Sequence, residues 1–99
     1  DAGLDTGAVL SRAEIPLGPD DDFGTLHDRM ERTAIELLLR DLDPILAGRI
    51  APVPQPEVGV TYADKIRPEE AELDFGVDAR TLHDKVRGLS PVPGAFTFL

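Results

Sequence analysis

Three sets of residues in the 99-residue sequence carry side chains able to do chemistry: Leu4-Asp5-Thr6-Gly7, the run Asp20-Asp21-Asp22, and the two histidines His27 and His83, each followed by an aspartate. Asp5 lies between Gly3 and Gly7, which permit tight turns and close backbone approach to a ligand. The acidic run lacks the alternating ligands, glycine and distal Glu of a calcium loop. A solvated loop ahead of a helix, where negative charge is favoured, is the expectation there. Adjacent residues on a helix point about 100° apart, so neither histidine converges with its aspartate on one ligand. Both histidines read as surface residues, and no metal site is expected.

The elements that have to position these groups follow from the hydrophobic pattern. Residues 8–15 alternate loosely, with Val9, Ala13 and Ile15 on one side, which predicts a strand. Residues 16–24 read as a loop. Leu26, Met30, Ala34, Leu37, Leu38, Leu42, Ile45 and Leu46 recur at steps of three and four and build one apolar helix face. Thr25 is expected to cap this helix, with Asp28 three residues on, and Gly48 to end it. Pro44 predicts a kink or a break. Pro52, Pro54 and Pro56 alternate with Val53 and Gln55 as a polyproline-like connector. Residues 59–62 and 73–75 read as short extended pieces, and Pro68-Glu69-Glu70 as the start of a helical turn. Asp78 suits the N-cap of a second helix with the face Leu82, Val86 and Leu89, ended by Ser90-Pro91. Pro93-Gly94 then turns the chain into a strand at residues 96–99. The phrases Thr25-Leu26-His27-Asp28-Arg29 and Thr81-Leu82-His83-Asp84-Lys85 read as two similar helix starts rather than an internal repeat.

Composition narrows the class. Hydrophobic residues make up 41% of the chain but aromatic ones only 5%, so any core rests on Leu, Ile, Val and Ala. The absence of cysteine excludes disulfide staples and thiolate metal sites and fits a reducing, cytoplasmic setting. A formal charge of −9 offers no general attraction for phosphate backbones or anionic membranes. No secretory signal is visible, and no apolar run reaches the roughly 18 residues of a membrane span. The sequence opens on Asp1 and stops within its last expected strand, so an internal segment of a longer polypeptide is expected.

The Asp-Thr-Gly triplet is shared with the retroviral aspartic proteases, but that fold is almost entirely β and needs a buried strand ahead of the triplet. Only four residues precede Asp5, no glycine-rich flap is present, and the long amphipathic helix is foreign to it. A second likeness covers nearly the whole chain in register. Asp1-Ala2-Gly3-Leu4-Asp5-Thr6-Gly7-Ala8-Val9-Leu10 resembles the active-site loop of the folate-dependent formyltransferases. Residues 22–28 resemble that family's loop-to-helix entry. Pro54-Gln55-Pro56 with Val60-Thr61-Tyr62-Ala63-Asp64-Lys65-Ile66 resembles its inter-domain segment, and residues 69–75 resemble the segment following it. Val86-Arg87-Gly88-Leu89-Ser90-Pro91-Val92-Pro93-Gly94-Ala95-Phe96 resembles the helix and turn opening its second domain. Val92 departs from an aromatic residue usual there, and Phe75 from a Trp.

The resemblance implies an α/β fold: the end of a Rossmann-like catalytic domain over residues 1–51, a Pro-rich linker over 52–77, and the start of a smaller β-rich domain over 78–99. It implies 10-formyltetrahydrofolate as formyl donor and the rest of the same polypeptide as partner, with no membrane. The Thr-Tyr-Ala-Asp-Lys-Ile piece favours the branch whose acceptor is initiator methionyl-tRNA over the glycinamide ribonucleotide, formyltetrahydrofolate dehydrogenase and aminosugar branches. A non-catalytic scaffold that kept the fold is the alternative of a different class. In the family an Asn, a His and an Asp act together on a tetrahedral oxyanion and on proton transfer. Asp5 matches the Asp, and Leu4, Thr6 and Gly7 are expected to line the folate pocket. Lys65, Arg67 and Arg87 are the basic candidates for substrate contact, against solvated surface or pairing with Glu69 or Glu70. The Asn-x-His of the family has no match here, and neither His27 nor His83 lies in the matching motif. The 99-residue chain purified alone should therefore give no formyl transfer in an assay with donor and charged tRNA; measurable turnover would overturn this assignment of Asp5 as one part of a divided site.

Overall fold

In the computed structural model, which describes residues 2–99, the helical periodicity of the sequence is realised and the strand periodicity is not. Asp1, the first residue of the active-site-like stretch, lies outside the described residues. The elements are helix α1 (Phe23–Leu46), a 3-10 helix (Pro68–Ala71) and helix α2 (Ala79–Leu89). Among the described residues, β pairing is confined to two isolated bridges, Val9 with Val53 and Glu72 with Phe96. The strands expected over residues 8–15 and 96–99 thus shrink to one paired residue each, and residues 57–59 form a turn. The physical reason is partnership. An extended segment becomes a ladder only where a neighbour supplies its donors and acceptors. The α/β architecture is therefore not seen; the observed structure is mainly helical.

The chain divides into two compact units, one formed by residues up to Ile15 with Glu31–Ala63, the other by Pro16–Met30 with Asp64–Leu99. In the first unit, Val9 and Val53 exchange both peptide hydrogen bonds, each 2.8 Å, as an antiparallel pair. Helix α1 continues through Pro44 to Leu46, so the expected break is absent. A proline this close to the end forfeits one bond and leaves the following turn able to close. Closure is a Schellman motif. Arg49 N–H donates to Pro44 O (2.8 Å) and Gly48 N–H to Ile45 O (3.0 Å), with Gly48 at φ 69°.

The face of α1 turned towards its own unit takes in only part of the expected leucine stripe. Asp41 is buried and Thr33, Leu37 and Ile45 are half-buried, at steps of four. Ile35, Leu38, Leu39 and Leu42 remain exposed, Leu39 at 76%. The short extended segment available here offers the Ser11 hydroxyl, which donates to Asp41, and too little apolar surface to cover the leucines.

In the second unit, Asp22 rather than Thr25 caps α1. Asp22 Oδ1 accepts from Thr25 N–H (2.8 Å), and Thr25 Oγ1 accepts from Asp22 N–H (3.0 Å). Asp78 caps α2 in the same way, accepting from Thr81 N–H (3.0 Å) and from the Thr81 hydroxyl (2.7 Å). The shared Thr-Leu-His-Asp phrase thus sits three residues after an aspartate in both helices, one capping device used twice. Ala71 and Leu89 are the buried apolar residues here. The bridge beside them is parallel, with Leu73 N–H to Phe96 O (2.8 Å) and Phe96 N–H to Ala71 O (3.0 Å). The Ser90–Pro91 and Val92–Pro93 peptides are cis.

Two glycines with open space around a would-be Cβ give opposite expectations. Gly48→Ala, in left-handed backbone, should destabilise by about 1 kcal/mol, whereas Gly88→Ala inside α2 should stabilise by about 0.5–1 kcal/mol. Urea unfolding followed by helical ellipticity tests both signs.

Candidate active site

The Asp5 turn is shaped by its own short side chains. Gly3 is pressed against Thr6, where a Cβ would lie 2.5 Å from Thr6 Oγ1. Asp5 itself is left-handed, at φ 55°, a conformation that Asp tolerates better than most residues. Its side chain is exposed, Leu4 is 86% exposed, and Gly7 is half-buried.

Gln55 reaches this turn from the proline-rich segment. Its Nε2 donates to Asp5 O (3.0 Å) and to Gly7 O (2.7 Å). The register set by Val9 and Val53 places Gln55 opposite Gly7. Gln55 stood in the connector as a spacer between prolines. The signal that marks it is the prolines themselves, since alternation leaves the peptide N–H groups of residues 53 and 55 on one side. A second support lies further along the same unit. Asp41 takes the Ser11 hydroxyl and both ends of the Arg40 fork, each at 2.7 Å. The Arg40 guanidinium first, and Ser11 second, hold its carboxyl down to about 2, below the ordinary 3.8.

The remaining candidates lie in the second unit or beside it in sequence. Arg67 is exposed and paired with Glu69 (3.5 Å) and Glu70 (3.6 Å), and Lys65 is exposed. Arg87 is committed internally: it donates to Asp84 Oδ1 (2.8 Å), Gly18 O (3.2 Å) and Asp21 O (3.1 Å). Of the acidic run, only Asp20 is solvated. Asp21 receives both arms of Arg29 (2.8 and 3.0 Å) and Gly18 N–H (2.7 Å), and Arg29 holds its carboxyl well below the usual range. His27 lies on the surface 3.8 Å from Asp28, and His83 lies 3.9 Å from Asp20 and 3.6 Å from Asp84. An open depression of about 320 Å³ is lined by Ile66, Glu70, Asp84, Lys85, Gly88 and Leu89. Its charged groups are occupied, with Lys85 on Glu72 O, Glu70 on Arg67 N–H and Asp84 on Arg87.

Comparison with known proteins gives the loop a context. Residues 65–99 match the family described as formyl transferase, C-terminal domain. The chain is 50% identical over 95 residues to a methionyl-tRNA formyltransferase of Halorhodospira halophila, covering 96% of this chain and 31% of that protein. It is 43% identical over 97 residues to one of Symbiobacterium thermophilum, covering 98% of this chain and 30% of the relative. It is 39% identical over all 99 residues, and 31% of the relative, to one of Citrifermentans bemidjiense. The chain thus spans just under a third of the length of the curated relatives it matches.

The contact between Asp41 and its partners should be pH-dependent with a definite sign. A carboxyl held below its unfolded value contributes stability in full above about pH 4, and that contribution is lost as pH falls towards 2. Thermal melts between pH 5 and pH 2 should therefore fall less steeply for Asp41→Asn than for the parent chain.

Proposed function

We propose that this chain, similar along nearly its whole length to methionyl-tRNA formyltransferases, is part of a formyltransferase and supplies one part of a site transferring a formyl group from 10-formyltetrahydrofolate to the amino group of methionyl-tRNA in translation initiation. The observation that carries this reading is identity of 39–50% over nearly the whole chain to methionyl-tRNA formyltransferases, in two cases across all 99 residues and so including the Asp5 turn. The donor supplies the formyl group. Asp5 is the catalytic residue of this segment. Its exposed carboxylate, on a turn of mostly backbone surface, suits pairing with a protonated imidazole from elsewhere in the polypeptide and relaying the amine proton. Leu4, Thr6 and Gly7 face the folate through main-chain groups in this reading, which fits a turn whose side chains are short or exposed. Lys65 and Arg67 are the acceptor-side cations. Arg87, whose guanidinium is spent on Asp84 and two carbonyls, braces the loop ahead of α1.

We read residues 1–51 as the end of a Rossmann-like catalytic domain, 52–77 as linker and 78–99 as the start of a smaller β-rich domain. The exposed leucines of α1 support the first, since a helix in a larger α/β layer packs such a face on its sheet. The cytoplasm is the compartment this activity implies. A small amine acceptor is the second reading, favoured by the charge of −9 and by the pairing of Arg67 with Glu69 and Glu70.

The test is a chimera in which this chain replaces the matching segment of the Halorhodospira halophila protein. Formyl transfer to methionyl-tRNA is expected, and Asp5→Asn should lower kcat at least about 100-fold with a small change in KM for tRNA. A folded chimera in which Asp5→Asn keeps full turnover would refute the assignment. Turnover with glycinamide ribonucleotide or an aminosugar, but not tRNA, would select the second reading.

A further inference from the structure

The Asp5 turn has one tether that its own sequence does not supply. Residue 5 is left-handed and exposed, in a short turn at Leu4-Asp5 whose Gly3 lies close against Thr6. A carboxylate on such a turn has freedom of direction, whereas proton relay requires hydrogen-bond reach of about 2.6–3.2 Å. The tether comes from 50 residues away in sequence, through Gln55 Nε2 and the carbonyls of Asp5 and Gly7.

We propose that Gln55 is a positioning residue for Asp5: its side-chain amide, set opposite Gly7 by the Val9–Val53 pair, holds the carbonyl of Asp5 and that of Gly7, on either side of Thr6, and so fixes the direction of the Asp5 carboxylate. Three features make the placement specific. Two carbonyl acceptors orient the amide, because only its NH2 group donates, and it has two donors for two acceptors. The register comes from the exchanged hydrogen bonds of Val9 and Val53, two residues before Gly7's partner. The flanking Pro54 and Pro56 fix φ on both sides of Gln55, so the residue carrying the amide has little backbone freedom to lose. Glutamate at this position would keep the length and replace both donors with oxygens facing two carbonyls. Asparagine would be one methylene short.

This role rests on the formyl-transfer reading of Asp5, and its test separates the two. In the 99-residue chain, nuclear magnetic resonance of Gln55→Glu and Gln55→Ala should show faster exchange or new shifts for the amides of residues 5–7. The Val9 and Val53 amides should keep their positions, which also reports that the variants retain the local fold. In the chimera described above, Gln55→Glu should lower kcat by about tenfold to 100-fold, the range expected for a displaced catalytic group, with KM for tRNA within about twofold. Unchanged amides at residues 5–7 would overturn the proposal. So would a Gln55→Glu chimera with parental kcat while Asp5→Asn is inactive. If Asp5→Asn is itself fully active, the formyl-transfer reading fails, and with it the catalytic half of the proposal. The resonance data then still decide whether Gln55 holds the turn.

Discussion

Two peptide hydrogen bonds between Val9 and Val53, each 2.8 Å, set the register on which the first unit depends. They bring a glycine-flanked turn and a proline-rich segment alongside each other, and everything at the Asp5 loop follows from that alignment. Gln55 falls opposite Gly7, and its amide reaches the carbonyls on both sides of Thr6. The turn is too short and too exposed to hold itself by burial, so directional bonds take the place of packing. The same substitution recurs along the unit, where the most enclosed side chain of α1 is Asp41, with a hydroxyl and a guanidinium as its neighbours.

The second unit is organised by acid in a comparable way. Asp21 draws together Arg29, the Gly18 peptide and the Thr25 hydroxyl, while its own carbonyl accepts from Arg87. An acidic run that looks like a solvated loop is thus a structural knot with one exposed member, Asp20. A sequence with more acids than bases can be ordered in this manner when each arginine serves several acceptors. Arg29 and Arg87 are the two arginines committed in this way.

The helices were legible because their signals are local. Asp78, Gly48 and the Pro68 turn act through contacts within a few residues, and all three perform as their chemistry suggests. The cap of α1 was misplaced on Thr25. The pattern Asp-x-x-Thr is present before both helices, so comparing the two starts in full would have placed the cap on Asp22. Strands were less legible because pairing is a property of two segments, and alternation in residues 8–15 says nothing about whether residue 53 will be there. The face of α1 is covered only in part, at Leu26, Leu37 and Ile45, for a similar reason. Periodicity identifies an apolar stripe, but which stripe is covered depends on what the neighbouring segment offers, and here it offers a serine. At the site, Asp5 was found through resemblance and Gln55 was passed over, since a polar residue between prolines looks like linker until its register is known.

The prolines at 52, 54 and 56 have one more effect. Alternate residues of an extended chain point their peptide groups to opposite sides, so all three missing N–H groups fall on the side away from Val9. That edge presents carbonyls without donors. A further strand, whether from another copy of the chain or from a misfolded neighbour, would find only half of each ladder rung and could not extend the pairing. The segment that aligns the turn is in this way protected from edge-to-edge aggregation.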